Sequence, residues 1–70
     1  MKTAYKDYTI ETEATILKGG GWIARVHIFA GDVPRVALDF GRDVTFATSE
    51  LADQAALLLG RAWVDRFRSR

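Results

Sequence analysis

From Tyr8 to Phe29 the chain reads YTIETEATILKGGGWIARVHIF, and this stretch decides the fold. Tyr8, Ile10, Thr12, Ala14 and Ile16 alternate with Thr9, Glu11, Glu13, Thr15 and Leu17, the two-residue period of a strand with one buried face. Gly19-Gly20-Gly21 then supplies residues that take positive φ without steric cost, as a short hairpin loop requires. Beyond the glycines, Trp22, Ala24, Val26 and Ile28 alternate with Ile23, Arg25, His27 and Phe29, so a second strand returns along the first.

Working toward the C-terminus, Gly31-Asp32 marks another turn. Pro34 lacks an amide donor, which starts the third strand at Arg35, with Val36, Leu38 and Phe40 facing inward. Val44 and Phe46 follow as a short extended piece, and Thr48 or Ser49 caps a helix that runs to about Phe67. Leu51, Ala52, Ala55, Leu58, Leu59, Ala62 and Trp63 recur at helical spacing and form the stripe expected to cover the sheet. Glu50 and Asp53 in the first turn and Arg66 and Arg68 in the last suit the helix dipole. The expected fold is α+β: a three-stranded antiparallel β-meander (β-β-β-α) with one long C-terminal helix on one face and a short fourth extended segment before that helix. Residues 1–70 form a single domain.

Pairing Lys18 with Trp22 sets Glu13 opposite His27 and Thr15 opposite Arg25, and pairing Ile28 with Val36 sets Arg25 opposite Asp39 and Phe29 opposite Arg35. Opposite charges facing each other across strands contribute roughly 0.2–1 kcal/mol each. The expected core comprises Tyr8, Ile10, Ile16, Trp22, Val26, Ile28, Val36, Leu38, Phe40, Phe46, Leu51, Ala55, Leu58, Leu59 and Ala62. In that arrangement Leu58→Ala costs about 2–5 kcal/mol.

With 49% hydrophobic and 27% charged residues the chain has the balance of a globular domain. It contains no cysteine, which excludes a disulfide framework and thiolate metal sites and fits a reducing compartment. Met1 to Asp7 is charged where a secretory leader needs an apolar run, and no apolar stretch approaches the roughly 20 residues that span a bilayer. A cytoplasmic location is expected. A net charge of +1 provides no global field for steering onto nucleic acid.

His27 is the single histidine, and Glu13 is its one expected partner; Glu11 and Glu13 share a strand face but no cleft. The three glycines precede a strand rather than a helix and lack the lysine and hydroxyl of a phosphate loop. No catalytic, cofactor or metal site is expected, and no small-molecule ligand. Two surfaces remain. Leu57, Gly60 and Val64 fall off the main helical stripe, and an apolar seam beside a glycine lets another backbone approach; with Ile23 and Phe29 on the outer sheet face they are the candidate partner surface. Arg61, Arg66, Arg68 and Arg70 gather near Trp63 and Phe67 and are the candidate nucleic-acid contacts, the less favoured alternative.

The order of strand, Gly20-Gly21-Trp22, two further strands and Phe46-Ala47-Thr48-Ser49-Glu50-Leu51-Ala52 leading into an Ala/Leu-rich helix resembles the HicB-like antitoxin domain. That resemblance implies a β-β-β-α module, often dimeric, that masks a small ribonuclease toxin. The chain has Asp39-Phe40-Gly41-Arg42-Asp43 where such domains often carry Pro-Gly. The arrangement also looks like a double-stranded-RNA-binding domain without its first helix, but Glu50 and Asp53 stand where that family brings lysines to phosphate. The sequence reading is therefore a non-enzymatic interaction module that binds a protein partner or a second copy of itself.

Overall fold

The two alternating strands around the glycine loop become the centre of the sheet, because they are the longest segments with one continuous apolar face. The computed structural model of the chain describes residues 1–41 and 43–68. Four strands, β1 (Lys2–Tyr5), β2 (Tyr8–Ile16), β3 (Trp22–Ala30) and β4 (Val33–Asp39), precede one helix, α1 (Ser49–Arg68). The strands form a single antiparallel sheet in the order β1-β2-β3-β4, and α1 lies on one face, mainly against β2 and β3.

The α+β class and the long C-terminal helix agree with the sequence reading, but the sheet has four strands rather than three. The additional strand lies at the N-terminus. Tyr5 pairs with Tyr8 across a two-residue turn in which Lys6 takes φ 56°. Such turns usually announce themselves with Asn-Gly or Asp-Gly, and a lysine in the left-handed region is uncommon, so the hairpin has no composition signal. The segment expected to add a strand before the helix makes one bridge instead: Phe46 exchanges backbone hydrogen bonds of 2.8 and 2.9 Å with Trp22.

The β2–β3 register is displaced by two residues from the expected one. Ile16, not Lys18, pairs with Trp22, which leaves a five-residue loop from Leu17 to Gly21 closed by a 2.8 Å bond from the Leu17 amide to the Gly21 carbonyl. A shift of two preserves which face each side chain occupies but changes its partner. Glu13 therefore faces Arg25, and Glu11 faces His27. In the β3–β4 hairpin Ile28 pairs with Val36 and Arg25 with Asp39 as expected, whereas Phe29 pairs with Pro34 because a bulge falls between Ile28 and Phe29. Pro34 thus lies within β4, which begins at Val33, and the bulge accommodates its missing donor.

Thr48 is the helix cap: its hydroxyl accepts from the Leu51 amide at 3.1 Å and its carbonyl from the Ala52 amide at 3.1 Å. The buried face of α1 is Ala52, Ala56, Gly60 and Val64, at strict four-residue spacing. With Ile10, Ala24, Val26 and Ile28 these make the fully enclosed core, bordered by half-buried Tyr8, Trp22, Val36, Leu38, Phe40, Phe46, Leu57, Leu59 and Trp63. The expected stripe is therefore wrong by about 100°, the rotation of one helical residue. Leu51 and Leu58, both assigned to the core, are 47% and 63% exposed; Ile16 and Ala62 are also exposed, and Ala55 is half-buried. The physical cause is Gly60. A Cβ there would lie 2.8 Å from Ile10 Cγ2 and 3.1 Å from Val26 Cγ2, so α1 settles on the sheet through its small residues and carries its leucines to the side and top.

Candidate interaction surface

Because α1 lies over β2 and β3 and only touches β4, a groove opens between the helix and the last strand. Its walls are Leu38 from β4 and Leu59, Ala62, Trp63 and Arg66 from α1, a predominantly apolar lining. At one end Phe40 and Phe46 meet edge to face, with centroids 5.7 Å apart. At the other Trp63 stacks on Phe67 at 4.8 Å, packs edge-on against Tyr8, and the Arg35 guanidinium lies 5.9 Å from the Phe67 ring centre. Exposed Leu51, Leu58 and Val33 extend the apolar character onto the helix top and the start of β4.

The candidate partner residues divide. Gly60 and Val64 are fully enclosed and Leu57 packs against the core, so this seam is not a partner surface. Gly60 does admit a close neighbour, but that neighbour is the Ile10 and Val26 side chains of the protein's own sheet. Ile23 and Phe29 are half-buried on the outer sheet face, separated along β3 by Arg25 and His27. Phe29 borders a shallow depression with Lys2, Glu11 and Asp32. The sequence reading places Leu59 and Ala62 in the core and Trp63 on the stripe that covers the sheet, and so leaves no groove there. The available signal was that the helix carries two apolar stripes and a sheet face covers one.

The candidate nucleic-acid contacts also divide. Arg61 and Arg68 lie on the β1 side of α1, and Arg66 lines the groove on the opposite side. The Arg61 guanidinium sits 5.5 Å from the Tyr5 ring centre, and Arg68 pairs with Asp7. Arg70 lies outside the described residues. Glu11, the register partner of His27, is 3.7 Å from Lys2, and the Glu13–His27 pair considered from sequence does not form. Among the described residues no three His, Asp or Glu side chains gather as metal ligands, and no helix is long and apolar enough to cross a membrane.

On the β1 side a polar clasp ties the first strand to the end of the helix. Asp65 accepts hydrogen bonds from the Tyr5 hydroxyl, 2.8 and 2.9 Å from its two oxygens, and from the Lys6 ammonium. The hydrogen bond to Asp65 raises the Lys6 pKa, and the bonds from Lys6 and then Tyr5 lower that of Asp65 from its ordinary 3.8. A depressed carboxylate contributes stability that is present above its unfolded value and lost as pH falls through the folded one; a raised lysine contributes stability present below its unfolded value and lost as pH rises through the folded one. The thermal midpoints of wild type and Asp65→Asn are therefore expected to differ most near neutral pH and to converge in acid. A pH-independent gap would remove the clasp from the stability of the fold.

No protein-family model matches the chain. Neither does any curated protein or solved structure.

Proposed function

We propose that this chain is a non-enzymatic interaction module that binds a protein, either a distinct partner or a second copy, through the groove between α1 and β4. The observation that carries the reading is an apolar groove continuous with exposed leucines, on the side of the helix away from the Lys6–Asp65 and Arg68–Asp7 ion pairs. Leu51 and Leu58 leave apolar area in water that binding would remove, at about 25 cal/mol per Å². The small ribonuclease toxin implied by the HicB-like resemblance falls within this class of partner. Against the nucleic-acid alternative stand the separation of Arg66 from Arg61 and Arg68 and the acidic neighbours Asp7 and Asp65 on the Arg68 side.

Affinity capture with tagged protein from its native lysate, with and without nuclease, tests this reading. A stoichiometric protein that survives nuclease and is lost on Ala62→Glu is the expected result; Ala62 is exposed and lines the groove, so a helix-compatible glutamate alters the surface and leaves the core intact. Recovery of nucleic acid that disappears when Arg66 and Arg68 become glutamate would replace it with the alternative.

A further inference from the structure

We infer that the groove is covered by a second copy of this chain, which adds its own β4 edge-to-edge and antiparallel about a twofold axis at Ala37. The inference rests on the interaction-module reading and names its occupant.

The open edge has a defined hydrogen-bonding face. Trp22 both donates to and accepts from Phe46 on the side of β3 away from β2. Bonding direction alternates along an antiparallel strand, so Val26 and Ile28 also bond on that side, to their register partners Leu38 and Val36. The amides and carbonyls of Ala37 and Asp39 are therefore turned outward, where no described strand pairs with β4. Unpaired edges of this kind are templates for another strand.

Like charges exclude two registers. Centring the pair on Asp39 opposes two aspartates, and centring it on Arg35 opposes two arginines, whereas centring it on Ala37 pairs its outward amide and carbonyl with those of the second copy and opposes no like charges. The same operation sets Val36 opposite Leu38 on the helix side and runs the two α1 helices in opposite directions on one face of the joined sheet. The first turn, with Glu50, then lies at the same end as the second copy's last turn, with Arg66 and Arg68. The interface is isologous and closed, as a twofold requires.

Area points the same way. The chain exposes 4836 Å² for 7.8 kDa, against about 4,400 Å² for a folded monomer of that mass. Among the described residues the enclosed apolar core numbers seven, three of them alanine. A domain of this size without cysteine gains stability from further cover. A standard interface, about 800 Å² per partner, exceeds the surplus and would enclose Leu38, Leu59 and Ala62.

Light scattering on purified protein from about 1 to 100 μM is expected to give twice the chain mass. Ala37→Pro deletes the central edge amide, which has no partner in the isolated sheet, and Ala62→Glu charges the groove from the helix. Each should raise the dissociation constant at least about tenfold while far-ultraviolet circular dichroism stays that of the wild type. A wild-type monomer throughout the range overturns the inference, as does a dimer whose mass neither variant changes. If the monomer still captures a different protein in an Ala62-dependent way, the interaction-module reading survives and only the second copy is refuted. A monomer that captures nothing removes both.

Discussion

Gly60→Leu is expected to lower the unfolding free energy by about 3 kcal/mol, which removes most of the roughly 3–5 kcal/mol that the core of a domain of this size supplies. The first added carbon alone would stand 2.8 Å from a methyl of Ile10 and 3.1 Å from one of Val26. Both residues are fully buried, and both methyls branch directly from Cβ, so they have no flexible end to move aside. Gly60→Ala is the more discriminating variant. Alanine is favoured over glycine in a helix by about 1 kcal/mol, and overpacking costs about 1–3 kcal/mol, so a net loss of about 1 kcal/mol is expected. Urea titration decides the matter: a Gly60→Ala protein stabilised by its full helix propensity would mean that α1 does not rest on the sheet at this point.

The second large effect is at Ile10. Ile10→Ala removes a fully buried β2 side chain that sits beside Ile28 and beneath Gly60 of the helix, and a loss of about 2–5 kcal/mol is expected. Leu58→Ala, assigned the same loss from sequence, is expected to change stability by less than about 0.5 kcal/mol, because Leu58 is 63% exposed. The comparison is made in the Ala62→Glu background, where association does not contribute. Equal losses at the two positions would restore the leucine stripe as the buried face.

These two sites show what could be read in advance. Strand faces were legible because alternation from Tyr8 to Ile16 and from Trp22 to Ile28 specifies inside and outside irrespective of register, and the helix start was legible because Thr48 precedes the apolar run. The β2–β3 register was not, since Leu17 and Lys18 continue the alternation and nothing in the three glycines says that the loop takes them in. The helix face was misjudged for a physical reason: the largest apolar residues were assumed to be buried, whereas close approach to a sheet selects the smallest. The groove followed that error, because its helical wall is the stripe that should have been inside. The first strand gave no warning, as its turn places Lys6 where glycine or asparagine is the usual marker.

That inconspicuous first strand has a bearing on how far the sheet can grow. β1 has four residues, carries exposed Lys2, and is fixed at both ends, at Met1 by reciprocal hydrogen bonds with Thr12 and at Tyr5 and Lys6 by Asp65. A short, charged and tethered border is a poor seed for further strands, while the opposite border is longer and flanked by apolar side chains. Accretion is thus possible from one side only, and joining two such sheets consumes the receptive side of each. The arrangement stops at a finite particle where a sheet receptive on both borders would propagate into a fibre.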